Sequence, residues 1–269
     1  MATIGFIGGG NMAEALIKGI IAAKVYQPKN IFVSDIKPDR LKFLADQYDV
    51  QTLTSNKKLA ASVDVVILSV EPQQLNSVLL DIKGSFRPDT LFISIAAGRR
   101  IQKIKDLLGS VPLIRVMPNT PARIGQGAAG VFAPPDAAER LDEVIAIFSS
   151  VGKVFVLESE DMIDIITAVS GSGPAYFFLL MENMIQAAVN LGFTQKLAMD
   201  IVLQTAKGAA LLAEFAKDSG QSPAQLREKI VSRGGTTEAA LKIFAEGNFT
   251  ALVNSAVKKA HARSKELST

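Results

Sequence analysis

The chain has 269 residues, 48% of them hydrophobic, enough for a sizeable core in one large or two smaller domains. It has no cysteine and a single histidine, which excludes disulfides, thiolate nucleophiles, cysteine–zinc sites and His-based metal clusters. A net charge of +3 without a long Lys/Arg run argues against a nucleic-acid partner and leaves Lys57-Lys58, Arg99-Arg100 and Lys258-Lys259 as expected solvated faces.

The first element is a short buried strand at Ile4, Phe6 and Ile7. Gly8, Gly10 and Ala13 follow with the spacing G-x-G-x-x-(G/A), and residues 11–24 carry Met12, Leu16, Ile20 and Ile21 on one helical face. Strand, glycine turn and helix in that order form the context of the dinucleotide-binding fingerprint. Gly8 permits the tight turn, Gly10 lets the backbone approach a pyrophosphate, and Ala13 allows close helix–strand packing. The helix N-terminus offers N–H groups and a positive dipole end. No signal peptide is expected ahead of this motif, and no apolar run is expected to reach the ~18 residues of a membrane span. A soluble, cytoplasmic protein without a membrane partner is expected.

Residues 31–34 are a second strand and 38–47 a helix; further strands are expected at 63–70, 91–95, 113–116, 129–133 and 154–157, with helices at 101–108 and 137–149. Such alternation predicts an α/β doubly wound, mainly parallel sheet. After Glu158 only helical patterns remain, at 162–169, 175–191, 194–217, 223–231, 236–245 and 249–265. The chain is therefore divided into a dinucleotide-binding domain, 1–160, and an all-helical domain, 161–269. A helical core of that size is expected to bury itself against a second subunit. His261 is expected at the surface.

Several loops carry chemistry. Asp35 ends the second strand where a ribose reader sits; it suits NAD, while nearby Lys37 and Arg40 suit the phosphate of NADP, and a cap on the next helix is the third reading. Ser69-Val70-Glu71-Pro72 and Ala96-Ala97-Gly98 follow strand ends, where ligands bind in open α/β sheets. Met117-Pro118-Asn119-Thr120-Pro121 is a rigid loop, either a hydrogen-bonding site or a structural turn. Ser170-Gly171-Ser172-Gly173-Pro174 opens a long helix or breaks a longer one, and lacks the pattern of a serine nucleophile. In Ser232-Arg233-Gly234-Gly235-Thr236-Thr237, the glycines expose N–H groups to an anion and a threonine is expected to cap the next helix.

Taken together, Gly-Phe-Ile-Gly-Gly-Gly-Asn-Met-Ala at 5–13, Ser-Ile-Ala-Ala-Gly ending at Gly98, Met-Pro-Asn-Thr-Pro ending at Pro121, Ser-Gly-Ser-Gly-Pro-Ala-Tyr ending at Tyr176 and Gly-Gly-Thr-Thr ending at Thr237 resemble the pyrroline-5-carboxylate reductases. The five motifs are collinear and span almost the whole chain. The resemblance implies a Rossmann domain followed by a helical dimerisation domain, an interlocked dimer or a ring of five dimers, and reduction of L-1-pyrroline-5-carboxylate to L-proline with NAD(P)H, NADPH being favoured and NADH an alternative.

It also implies site residues. Ile7, Gly8, Gly9, Gly10, Asn11 and Met12 match the pyrophosphate loop; Ser34, Asp35 and Asn56 the adenosine side; Ser69, Val70, Glu71 and Pro72 the next loop; and Ala96, Ala97 and Gly98 the nicotinamide side. Ser232, Gly234, Gly235, Thr236 and Thr237 match the substrate loop, where N–H groups hold the carboxylate and the Thr237 hydroxyl meets the ring nitrogen as the catalytic group. Three positions depart from the family pattern: Glu71 replaces its usual Lys, Arg233 a frequent Pro, and Val231 a small polar residue. No metal is implied. A β-hydroxyacid dehydrogenase on the same plan would need a lysine general acid in the helical domain; Lys196 and Lys207 lie outside the expected setting.

Overall fold

The structure, a computed structural model, describes residues 2–268. Among the described residues, eight strands form one sheet: β1 (Ile4–Ile7), β2 (Ile31–Ser34), β3 (Gln51–Leu53), β4 (Val65–Leu68), β5 (Leu91–Ser94), β6 (Leu113–Met117), β7 (Gly127–Phe132) and β8 (Gly152–Val156). Their order is β3-β2-β1-β4-β5-β6-β7-β8, and every pair is parallel except β6 with β7. The chain moves outward from β1 in one direction and then from β4 in the other. The switch between β1 and β4 opens the crevice in which doubly wound sheets bind ligands.

Alternation along the strands builds two cores. Ile4, Phe6, Val65 and Ile67 face one side, with α1 (Asn11–Ala22), α2 (Pro38–Tyr48) and α6 (Leu141–Ser149). Ile7, Val66, Leu68 and Phe92 face the other, with α3 (Asn56–Ser62), α4 (Pro72–Ile82) and α5 (Ile101–Leu108). Strands buried on both faces need continuous apolar runs, which is why β4 and β5 were legible. Residues 51–53, 72–82 and 56–62, the last of them α3, had no assigned element. The first form the short, partly exposed edge strand β3, with no apolar run to mark it. The second form α4, whose Leu75, Val78, Leu79 and Ile82 are buried at helical spacing behind Pro72 in the first turn.

By contacts the chain divides into two compact units, one of residues 1–174 with 259–269 and the other of residues 175–258. The helices beyond the sheet are α7 (Asp161–Ile166), α8 (Gly173–Asn190), α9 (Gln195–Lys217), α10 (Pro223–Ile230), α11 (Thr236–Glu246) and α12 (Phe249–Ser268). Thr194 caps α9 as expected, accepting from the Leu197 N–H. Between α7 and α8 the Ser-Gly-Ser-Gly segment does not stop the helix. It passes through a π-turn, Thr167–Gly171, so 161–190 run as one helical stretch.

Three expectations are corrected. The stretch Asp161–Asn190 is long and apolar enough to cross a membrane by length and composition alone, although no apolar run of that length was expected. His261, expected at the surface, is half-buried, and its Nε2 is shielded from solvent without a hydrogen-bond partner. Arg99 and Arg100 are not a solvated pair: Arg99 donates to the Pro72 carbonyl at 2.8 Å and Arg100 to Asp161 at 2.6 Å.

The second unit has almost no core of its own. Ala198, Val202 and Ala216 are its buried apolar residues, whereas Phe177, Phe178, Leu212 and Phe215 are half-exposed or more. Apolar faces of this extent on paired helices call for a partner surface.

Candidate active site

The glycine loop after β1 is shaped by its neighbours. Gly8 has φ +98°, and a Cβ there would lie 2.7 Å from the Ser69 carbonyl oxygen, so both backbone conformation and close approach demand glycine. Ser69 returns the contact: its hydroxyl lies 2.6 Å from the Gly8 carbonyl and 3.0 Å from that of Ile7. Gly10 takes the N-cap position of α1, with no side chain capping the helix. A Cβ on Gly10 would meet nothing within 4 Å, so the space before the helix N-terminus is open. Ala13 is fully buried against the sheet, as the fingerprint requires.

The second wall is the end of β2. Asp35 Oδ2 accepts from the Gly9 N–H at 2.8 Å, and Oδ1 accepts from the Lys37 N–H at 2.9 Å. Asp35 thus ties the glycine loop to the start of α2, whose N-cap position belongs to Lys37. Arg40 completes the tie. Its Nε donates to the Gly9 carbonyl at 2.5 Å, and it pairs with Glu14 at 2.5 Å while lying over the Phe43 ring. Burial alone would raise the Glu14 carboxyl, but hydrogen bonds from Arg40 and Tyr48 outweigh it and hold the group below its ordinary range. The Ser34 hydroxyl donates to Asn56 Oδ1 at 2.8 Å, fixing the first residue of α3 beside the same wall.

These walls enclose a cleft of about 940 Å³. It brings together the expected Ile7, Gly8, Gly10, Asn11, Met12, Ser34, Asp35, Asn56, Ser69, Val70 and Glu71. Gly9 stays outside the lining, its N–H turned to Asp35, and Pro72, Ala96, Ala97 and Gly98 also lie outside it. Loop 96–98 follows β5 and is tied to the neighbouring loop by Arg99 on the Pro72 carbonyl. Ile36, Lys37, Arg40, Gln74, Ser77, Val78 and Asp81 also line the cleft. Four of these belong to α4, which the Leu75–Ile82 spacing would have revealed.

In the rigid loop after β6, the Asn119 side chain has a structural role. The Asn119 side-chain amide donates to the Ser170 hydroxyl at 3.1 Å, while its carbonyl accepts from the Ala128 N–H at 2.8 Å. Ser170 donates in turn to the Ala128 carbonyl at 3.1 Å. Asn119 and Ser170 thereby fasten the π-turn to the sheet.

The remaining motif lies in the second unit. Gly234 has φ +75°, the Gly235 N–H donates to the Ser232 carbonyl at 2.9 Å, and Gly235 takes the N-cap position of α11. The expected threonine cap is therefore corrected: Thr236 and Thr237 are the first residues of the helix and do not cap it. Glu238 reaches back so that its carboxylate accepts from the Gly234 N–H at 2.7 Å. An acceptor anion on this turn is what exposed N–H groups at a helix start favour. A hollow of about 540 Å³ is lined by Gly234, Gly235, Glu238 and Lys242 among others; Ser232, Thr236 and Thr237 are not in its lining.

A parallel doubly wound sheet with a glycine loop, an open helix N-terminus and an acidic residue at the end of the second strand defines a Rossmann-type dinucleotide-binding protein. Residues 3–98 match the family model described as NADP oxidoreductase, coenzyme F420-dependent, and residues 160–267 match that of pyrroline-5-carboxylate reductase dimerisation. The pyrroline-5-carboxylate reductase of Pseudomonas aeruginosa is 42% identical over 98% of this chain and 96% of its own. The solved pyrroline-5-carboxylate reductase of Coxiella burnetii has a TM-score of 0.89 at 40% identity, over 100% of this chain and 99% of its own. That of Plasmodium falciparum, solved with NADP bound, has a TM-score of 0.89 at 33% identity, over 100% and 98%. The chain belongs to the pyrroline-5-carboxylate reductase family.

Proposed function

We propose that this chain reduces L-1-pyrroline-5-carboxylate to L-proline with NAD(P)H, the last step of proline biosynthesis. The observation that carries this reading is the full-length likeness to reductases of that name, at 42% identity to the Pseudomonas aeruginosa protein. The glycine-loop cleft and the Gly-Gly-Thr-Thr turn, both intact, support it.

The cleft fits a dinucleotide: the space before Gly10 is open, and no side chain caps α1. Ile7, Gly8, Gly10, Asn11 and Met12 would hold the pyrophosphate, with Gly9 fastened behind them to Asp35 and Arg40. Ser34, Asp35 and Asn56 would hold the adenosine side, the loop Ser69 to Pro72 would flank the coenzyme, and Ala96, Ala97 and Gly98 would hold the nicotinamide side. NADPH is the favoured coenzyme, with NADH an alternative. Lys37 at the cleft edge supports that preference, while Arg40 is already paired to Glu14.

The bound coenzyme supplies the hydride that C5 of the cyclic imine accepts. Ser232, Gly234, Gly235 and Thr236 form the substrate loop at the start of α11, where the substrate carboxylate takes the place on the Gly234 N–H that the Glu238 carboxylate occupies in the structure. The amine also needs a proton on the ring nitrogen, carried in by the protonated imine or taken up from solvent; the Thr237 hydroxyl donates to that nitrogen or orients its proton. Catalysis is then positioning and electrostatics, with no protein nucleophile.

The functional domains follow the division 1–160 and 161–269. The working enzyme is an interlocked dimer or a ring of such dimers, in which one subunit's substrate loop serves its partner's coenzyme. It is cytoplasmic, with its apolar helical faces covered by self-association rather than by lipid. The initial rate of coenzyme oxidation with pyrroline-5-carboxylate, measured in parallel with NADPH and NADH, tests the reading. Turnover faster with NADPH is expected; coenzyme binding without turnover would point to a silent dinucleotide-binding protein.

A further inference from the structure

The last turn of α12 reaches back to the loop that follows β5. Asp164 in α7 is fully buried; its Oδ1 accepts from the Ser264 hydroxyl at 2.7 Å and lies 3.1 Å from the hydroxyl of Ser268, one helical turn on, which is also 3.0 Å from the Ser264 carbonyl. The other oxygen, Oδ2, lies 3.5 Å from Arg100, which stands at the N-cap position of α5, two residues after Gly98. α5 has no side-chain cap of its own. Glu160 provides one from afar: its Oε1 accepts from the Ile101 N–H at 2.8 Å and from the buried Arg115 at 3.0 Å.

Backbone packing makes the second link. Gly98 has φ +64°, and a Cβ on it would lie 2.6 Å from Cβ of Leu267 and 2.9 Å from its carbonyl oxygen. α12 therefore bears directly on the loop, and Arg99 pins the loop's far end to Pro72. The loop is held from both sides, by the neighbouring strand end and by the last turn of the chain's final helix.

We propose that residues 264–268 are a positioning element for loop 96–98, with Ser264 and Ser268 setting it through Asp164 and Leu267 through Gly98. This rests on the proposed assignment of that loop to the nicotinamide side. A buried carboxylate needs its full set of donors, so removing the two hydroxyls forces Asp164 and Arg100 to rearrange. A small displacement of a group that orients reacting atoms lowers turnover far more than affinity.

The test compares wild type, Ser264→Ala/Ser268→Ala and Ala97→Val. The readouts are kcat, KM for substrate, thermal midpoint, emission of bound NADPH, and affinity for adenosine 2′,5′-bisphosphate, which lacks the nicotinamide end. Both variants are expected to lower kcat about tenfold and to alter the bound-NADPH emission, while affinity for the adenosine fragment stays unchanged. Ser264→Thr/Ser268→Ala, which keeps one hydroxyl at position 264, is expected to recover part of the loss seen in the double alanine variant. If Ala97→Val lowers kcat but the serine pair lowers only the thermal midpoint, the positioning role is overturned and the loop assignment stands. If Ala97→Val leaves kcat and the emission unchanged, the loop assignment falls, and the positioning role with it. Should the double variant not fold, Ser268→Ala, which keeps the 2.7 Å Ser264 bond, is read by the same criteria.

Discussion

The carboxylate of Asp35 accepts the Gly9 N–H at 2.8 Å, so the residue at the end of β2 shapes the glycine loop before it meets any ligand. Its second oxygen is taken by Lys37. Asp35 does not cap α2, whose N-cap position is Lys37 without a side-chain cap; it fastens the glycine loop, so removing it disturbs that loop whether or not the carboxylate also meets a ribose. A hydrogen bond to a charged group contributes about 1.5–3 kcal/mol. Asp35→Ala is accordingly expected to raise KM for both NADPH and NADH by about tenfold or more. Steady-state kinetics with each coenzyme checks this; a change confined to NADH would make Asp35 a ribose reader alone.

Thr237 lies in the first turn of α11 beside a glycine turn. If its hydroxyl stabilises the developing charge on the ring nitrogen, Thr237→Ala lowers kcat by about a hundredfold, the scale of losing one preorganised donor. Dinucleotide affinity is expected to stay within twofold or so, because the cleft around Gly10 is untouched. Equal loss in kcat and in coenzyme binding would remove Thr237 from the chemistry.

Stability is expected to fall in acid through two carboxylates. Burial alone would raise Glu14 and Asp64, but Arg40 and Tyr48 at Glu14, and Thr3 and Arg87 at Asp64, hold both below their ordinary values of 4.5 and 3.8. A depressed folded-state value favours the ionised form in the fold. The contribution is therefore present above the unfolded value and is lost as pH falls through the lower folded one. Denaturant midpoints measured from pH 7 downward should drop in that acid window, and Glu14→Gln should flatten part of the drop. An unchanged pH profile in the variant would assign the loss to other groups.

Self-association is expected from the apolar helices. Phe177 is 65% exposed on α8 and Phe215 77% exposed on α9. Phe177→Asp should shift the sedimenting species toward the monomer in detergent-free buffer, with activity falling in parallel. An unchanged sedimentation coefficient would mean that this face is not the contact. A protein that stays in solution only with detergent would favour the lipid reading of the 161–190 stretch.

The chain's local signals were strong where function sits on backbone geometry. Gly8 and Gly10 are legible because a positive φ and an open approach to a helix start admit few residues. β4 and β5 are legible because two-sided burial demands unbroken apolar runs. β3 was hidden by its exposed edge position. Asn119 and Ser170 kept their roles open until their mutual hydrogen bonds showed both to be fasteners of a π-turn. Thr236 and Thr237 looked like caps, but the φ +75° turn at Gly234 carries the chain so that Gly235 takes the cap position instead.

By itself the sequence determined most of the strands and helices, though not β3, α3 or α4, together with the glycine loop and the Gly-Gly-Thr-Thr turn, because each depends on steric and hydrogen-bonding preferences acting over a few neighbouring residues. Only the tertiary structure decided that Arg40 belongs to Gly9 and Glu14, that Asp35 is a loop fastener, and that Ser264 and Ser268 meet Asp164 a hundred residues away. Those partners are set by how the helices pack on the sheet. No periodicity encodes which distant donor will reach a buried carboxylate; burial makes that pairing obligatory, and the fold chooses the partner.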